Sequence, residues 1–184
     1  MTQLFISHSR KNNAEALALS QWLTAERWDD QFLDIHPLRG LAAGERWERA
    51  LHQAAGRCDA VLLLVSPDWL RSDWCRREFT ISQQLGKRLF VLLLDGAKRA
   101  DVEASMKEIW QLVDLSSGDD HSAHEVTLPD ETKTRQVYFS RSALTRLRKG
   151  LKAPEQLSQT AEHQVGGMRP QPTYQVTACL ACRP

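Results

Sequence analysis

The 184-residue sequence has no long apolar segment and no excess of charge of either sign. Its longest apolar runs, residues 60–65 and 89–94, have six residues each, whereas a helix that spans a bilayer needs about 20. Lys and Arg number 24 and Asp and Glu number 23, so charge gives no reason to bind nucleic acid or an anionic membrane. We expect neither a membrane nor a nucleic-acid partner.

Cysteine and targeting signals are also scarce. Four cysteines in a chain of this length do not form a disulfide scaffold. Cys179 and Cys182 make one CxxC, but a structural zinc site needs four ligands and the nearest histidine is His163. The first residues lack the cationic region and apolar stretch of a secretory signal. We therefore expect a cytoplasmic protein with no metal site.

The elements that are present alternate between strands and helices. Residues 60–65 and 89–94 are apolar without alternation, which is typical of parallel strands buried on both faces. Shorter strands are predicted at residues 4–6, 32–34, 113–115 and 137–139. Helical spacing predicts helices from Asn12 to Arg27, at residues 45–55, from Ser72 to Gly86, at residues 102–110 and after Ser140. This order predicts an α/β fold: a flavodoxin-like open parallel sheet of about five strands, with the first at its centre and helices on both faces.

Local signals define the helix starts and the loops between elements. Asn12 with Glu15 resembles a capping box, and Ser72 is a suitable cap for the third helix. Residues 68–71 are predicted to be a loop, and residues 116–134 are predicted to be mostly loop. We expect a domain over residues 1–152. Residues 153–184, with no Lys, five Gln and four Pro, are expected to be a disordered tail or linker.

Ligands of open parallel sheets bind at the carboxyl ends of the strands, where the strand order reverses. In this sequence that point lies between the first and third strands. Three loops are predicted to surround it, at residues 7–11, 35–44 and 66–71. The third predicted helix lies beside them.

One carboxylate in the third predicted helix interrupts an apolar stripe. The residues at helical spacing on that face are Trp74, Glu78, Ile81 and Leu85. Because an unpaired buried carboxylate is costly, Glu78 has three possible settings: the rim of the helix, an ion pair with Arg39 or Arg46, or a cleft in which its charge is used.

Five segments in order resemble the Toll/interleukin-1 receptor (TIR) domain. They are residues 5–9, Asp34, residues 44–47, residues 66–67 and, above all, residues 74–78, Trp-Cys-Arg-Arg-Glu. The resemblance covers roughly residues 3 to 115, with residues 137–152 as a closing element. It implies a flavodoxin-like fold and one of two uses, adaptor binding to other TIR domains or cleavage of NAD+. The long segment from Asp34 to Trp47 is most similar to bacterial, defence-associated TIR domains of the NAD-cleaving type.

The resemblance also implies roles for individual residues. Glu78 matches the catalytic glutamate of NAD-cleaving TIR domains. The resemblance implies six substrate-binding residues. His8 and Ser9 match positions that line the nicotinamide pocket, Asp34 and Gly44 border the loop at residues 35–44, and Trp47 or Trp74 supplies aromatic surface. NAD+ is then a substrate, and no cofactor is expected.

Two functions stay open from the sequence. The first is an NAD+ glycohydrolase or cyclase with Glu78 as the catalytic residue. The second is a non-enzymatic TIR interaction module. Leu38 and Leu41 lie in a breaker-rich segment, so in either case we expect self-association or binding to other TIR domains through the 35–47 loop.

Overall fold

A five-stranded parallel sheet forms the frame of the protein. The structure is a computed structural model and describes residues 3–33, 56–102, 106 and 111–152. The sheet strands are β1 (Leu4–Ser7), β2 (Gln31–Leu33), β3 (Ala60–Val65), β4 (Arg88–Leu93) and β5 (Gln111–Asp114), in the spatial order β2-β1-β3-β4-β5. The predicted flavodoxin-like fold is confirmed. The strand in the middle is β3, however, and β1 lies between β2 and β3.

Four described helices accompany the strands. They are α1 (Asn13–Ala25), α2 (Pro67–Arg71), α3 (Asp73–Gln84) and α4 (Arg141–Lys152). The predicted helix at 45–55 and nearly all of that at 102–110 lie outside the described residues. The chain divides into two compact units, residues 1–150 and 151–184. Because residues 153–184 also lie outside the described part, the tail and its boundary at residue 152 stay predictions.

The centre of the sheet is apolar on both faces, as the sequence predicts. All six residues of β3 are buried, and successive strand residues point to opposite faces. Val61, Leu63 and Val65 belong to a buried cluster that also contains Trp69 from α2 and Phe79 from α3. These contacts attach α2 and α3 to one face of the sheet, beside the ends of β1 and β3.

One predicted loop, residues 68–71, is wrong because the structure contains a helix there. Residues 67–71 form α2, in which Pro67 occupies the first turn and the Ser66 hydroxyl accepts from the Trp69 amide at 3.1 Å. A five-residue helix is too short to show helical periodicity. Residues 116–134 are mostly loop, as predicted. They also include strand β6 (His121–Thr127) and the first residue of β7 (Thr134–Ser140), and these two strands pair antiparallel as a separate hairpin. Only Val126 of β6 is buried, so the strand has no apolar alternation.

The start of α1 also differs from its prediction. A 3-10 turn, Arg10–Asn12, precedes α1, and the Asn12 side chain makes no capping hydrogen bond. Its Oδ1 instead accepts from the Ser66 hydroxyl at 2.6 Å. At the starts of α3 and α4 the predicted serines do accept backbone amides: Ser72 from Cys75 at 3.2 Å and Ser140 from Ala143 at 3.4 Å.

The hairpin contains a half-buried histidine whose lowered pKa makes folding depend on pH. The His124 ring packs against the Phe139 ring with centroids 5.3 Å apart, and burial lowers the pKa of His124 below its ordinary 6.5. As the pH falls below that value, the unfolded chain takes up the proton before the folded one, so stability present at neutral pH is lost. We expect the urea midpoint to fall between about pH 7.5 and about pH 5.5, and to fall less in His124→Asn. An identical decrease in the two proteins would contradict this.

Candidate active site

The candidate site lies where β1 ends, next to helix α3. Strand β1 pairs with β2 on one side and β3 on the other, so the strand order reverses here as the sequence predicts. Cys75 of α3 contacts the His8 carbonyl oxygen at 3.6 Å. The helix that carries Glu78 is therefore held directly against the carboxyl end of β1.

Glu78 is buried and hydrogen-bonded through both carboxylate oxygens. Only 7% of the residue is exposed, so it is not a rim residue. The Ser7 hydroxyl donates to Oε2 at 2.5 Å, and the Trp74 indole donates to Oε1 at 2.8 Å. The Trp69 indole in turn donates to the Ser7 oxygen at 3.2 Å. The carboxylate therefore accepts from β1 and α3 directly, and α2 contributes through Ser7.

The local sequence explains how α3 presents this carboxylate. Ser72 caps the helix, and Asp73 in its first turn is favoured by the helix dipole. Trp74 and Glu78 are four residues apart and therefore neighbours on the helix surface. The Ser82 hydroxyl donates to the Glu78 carbonyl oxygen at 2.7 Å, one turn earlier in the same helix.

The apolar stripe predicted around Glu78 is only partly correct. Cys75, Phe79 and Ser82 are buried together with Glu78, whereas Leu85 is 43% exposed. The helix ends at Gln84, and Gly86 with φ of +63° turns the chain away. Leu85 therefore lies beyond the end of the helix and not on its core face.

The other predicted site residues are placed as follows. His8 and Ser9 are half-buried directly after β1, and His8 Nε2 lies 3.0 Å from Asn13 Oδ1. Trp74 contacts Glu78, as described above. Asp34, Gly44 and Trp47, together with the possible ion-pair partners Arg39 and Arg46, lie outside the described residues.

Two residues of the site, Ser7 and Trp69, are not identified by the sequence patterns. Both are almost fully buried, at 1% and 0% exposure. Ser7 falls in a predicted loop but is the last residue of β1. Trp69 falls in another predicted loop but belongs to α2. One signal in the sequence indicates that Trp69 is buried: it lies two residues after Pro67, at a Ser-Pro start of a helix.

Neither described cysteine is suited to nucleophilic chemistry. Cys58 and Cys75 are buried and form no disulfide, and burial raises the pKa of each thiol to about 11. We expect both to react slowly with iodoacetamide at about pH 8 while the protein is folded and rapidly once it is unfolded, because the thiolate is the reactive form. Mass spectrometry of the two peptides measures this, and fast labelling of the folded protein would contradict it.

A concavity lies at the carboxyl ends of β4 and β5, where Leu94 and Leu115 line it. It has a volume of about 340 Å³, and its wall includes Glu15, Asp95, Ser116, His121, Gln136 and Tyr138. None of the predicted site residues lines it.

Within the described parts of the chain, no group of three or more His, Cys, Asp or Glu side chains is placed to hold a metal ion. That the site needs no metal stays a prediction.

The order of the parallel strands and the helices between them define an α/β protein of flavodoxin-like type. The Glu78 carboxylate lies on a helix at the point where that strand order reverses. A family model described as TIR domain matches residues 4–128, and the chain belongs to that family. TIR domains generally self-associate or bind other TIR domains. Among the described helices, none has the length and apolar character that a membrane span requires.

Two solved structures are similar to this chain in fold. The TIR domain of the Toll-related receptor TRR-2 from Hydra magnipapillata is 16% identical, over 62% of this chain and 84% of that chain, with a TM-score of 0.47. A CMP N-glycosidase from Clostridium botulinum is 12% identical, over 61% of this chain and 86% of that chain, with a TM-score of 0.43. No curated protein sequence matches the chain.

Proposed function

We propose that this TIR domain is an NAD+ glycohydrolase or cyclase that breaks the bond between nicotinamide and ribose. The observation that carries the proposal is the Glu78 carboxylate, buried at the carboxyl end of β1 and held by hydrogen bonds from Ser7 and Trp74. A buried carboxylate at the point where strand order reverses is suited to bind and stabilise positive charge. A bacterial defence or signalling role in the cytoplasm is part of the same proposal.

One carboxylate is sufficient for this reaction because of the leaving group. Ordinary glycosidases need a second carboxyl group to protonate a leaving alcohol. In NAD+ the nicotinamide is bound as a cationic pyridinium, and it leaves as a neutral molecule when it takes the bonding electron pair. No general acid is then required at that atom. Positive charge develops at the anomeric carbon, and an ionised Glu78 nearby stabilises it.

The remaining steps determine the product. Water attacks the anomeric carbon and loses a proton to give ADP-ribose, or a nucleophile within the same molecule attacks to give a cyclic product. A folded NAD+ held near attack distance favours the cyclic product, because it raises the effective molarity of the internal nucleophile. His8, Ser9 and Trp74 border Glu78 in our proposal. Asp34, Gly44 and Trp47 complete the substrate-binding set.

Incubation of the purified protein with NAD+ tests the proposal directly. We expect release of nicotinamide together with ADP-ribose or cyclic ADP-ribose, resolved by chromatography. CMP, which is also an N-glycoside, serves as a comparison substrate. It should not be cleaved, because its base is uncharged while bound and leaves as an anion unless a general acid protonates it. A wild-type rate of nicotinamide release no higher than that of a Glu78→Gln protein would support the interaction module instead.

Assembly through the 35–47 loop is a separate part of the proposal. Leu38 and Leu41 suit a head-to-tail contact, which grows into longer assemblies because it does not close on itself. If assembly completes the substrate pocket, activity per molecule should rise with protein concentration. Constant specific activity from nanomolar to high micromolar protein, with no larger species in light scattering, would contradict it.

A further inference from the structure

We propose that Ser7 and Trp69 are positioning residues that fix the Glu78 carboxylate relative to the sheet. The inference rests on the proposed NAD+ cleavage and extends it to two residues outside the substrate-binding set. Three groups form a chain of hydrogen bonds: the Trp69 indole donates to Ser7, and Ser7 donates to Glu78 Oε2.

The chemistry of the three groups allows one arrangement of protons when Glu78 is ionised. An indole N–H is only a donor, and an ionised carboxylate is only an acceptor. The Ser7 hydroxyl between them has a single proton. Because its oxygen accepts from Trp69, that proton is directed toward Glu78. The Ser7 hydroxyl is therefore oriented before any substrate arrives.

The two donors of this chain of hydrogen bonds, Ser7 and Trp69, belong to the buried core of the protein. Ser7 is the last residue of β1 and lies in register with Leu63 of β3. Trp69 is fully buried in the cluster between the sheet and α3. Charge-stabilising groups work best when packing and supporting hydrogen bonds hold them in place.

The hydrogen bond from Trp74 to Glu78 has a different role from the bond donated by Ser7. Trp74 and Glu78 belong to the same helix, four residues apart, so their contact moves with α3 as a unit. It does not set where the carboxylate stands relative to the end of β1. The Ser7 bond does, because it crosses from the helix to the sheet. Loss of Ser7 should therefore affect turnover more than substrate binding.

Three single variants test the inference. Ser7→Ala removes the donor to Glu78, and we expect kcat for NAD+ cleavage to fall about 10- to 100-fold with KM changed less than about twofold. Trp69→Phe removes the indole donor to Ser7 together with part of a buried ring system, and it should cost about three- to tenfold in kcat. Ser82→Ala is the matched control: Ser82 is also fully buried and bonded to Glu78, but through the backbone oxygen. Its kcat should stay within about twofold of wild type.

Circular dichroism and thermal melting establish that each variant is folded at the assay temperature. A folded Ser7→Ala protein with wild-type kcat, or Ser82→Ala losing as much kcat as Ser7→Ala, would overturn the positioning role and leave the proposed function intact. A wild-type protein that does not cleave NAD+ would overturn the proposed function and this inference with it.

Discussion

Glu78→Gln should lower the rate of NAD+ cleavage about 100-fold or more, the size of effect seen when a single charge-stabilising group is lost. Glutamine keeps the length of the side chain, but its single oxygen can accept from only one of the two donors, Ser7 or Trp74, in this geometry. It has no negative charge, however, to oppose the positive charge that develops at the anomeric carbon. The loss should therefore fall on kcat, measured by nicotinamide release at saturating NAD+.

A charge change elsewhere on α3 provides the control for that experiment. Asp73→Asn also removes one carboxylate from the helix, but the Asp73 side chain is 90% exposed and pairs with Arg76 at the surface. We expect this variant to retain wild-type turnover. Full activity in a folded Glu78→Gln protein would refute the assignment of Glu78 as the catalytic residue.

Leu63→Ala should lower the free energy of unfolding by about 3 to 5 kcal/mol, a large fraction of the stability of a domain of this size. Leu63 is fully buried in β3, with paired strands on both sides. Truncation removes apolar contact and leaves a cavity between the sheet and the helices. Urea unfolding followed by circular dichroism measures the change.

The same substitution at Leu85 is the matched control. Leu85 is 43% exposed, beyond the end of α3, so Leu85→Ala should cost less than about 1 kcal/mol. Equal losses at the two positions would mean that the core is not where the structure places it. The pair also tests where Leu85 lies: outside the core, as in the structure, or on the apolar face of the helix, as the helical spacing predicts.

The parts of the fold that could be predicted are those with a strong local signal. Strands β3 and β4 are continuous apolar runs, and Ser72 and Ser140 are capping residues at sharp changes of pattern. Strand β6 carries no such signal, because its backbone pairs with β7 while most of its side chains stay accessible. Helix α2 is equally hidden, since its Ser-Pro start is also typical of the end of a strand.

The candidate site shows the same limit. Glu78 stands out in the sequence because a carboxylate interrupts apolar residues at helical spacing. Ser7 does not, because a serine at the end of a strand is ordinary and its partner is 71 residues away along the chain. Trp69 reaches Ser7 only because the chain forms helix α2 directly after β3. Contacts between residues so far apart in the sequence depend on how the sheet assembles. No local sequence pattern carries that information.

The position of β1 inside the sheet has a consequence for how the protein folds. During synthesis β1 emerges first, yet one of its two neighbours, β3, follows more than fifty residues later, with Leu4 paired to Ala60. Until then the apolar strand has an open edge, which is a hazard for aggregation. Pairings so distant in sequence form slowly. Ser7 meets Glu78 only after β3 and α3 have docked. In a nascent or partly folded chain the carboxylate therefore lacks this hydrogen bond, and we expect the proposed reaction only in molecules that have completed the sheet.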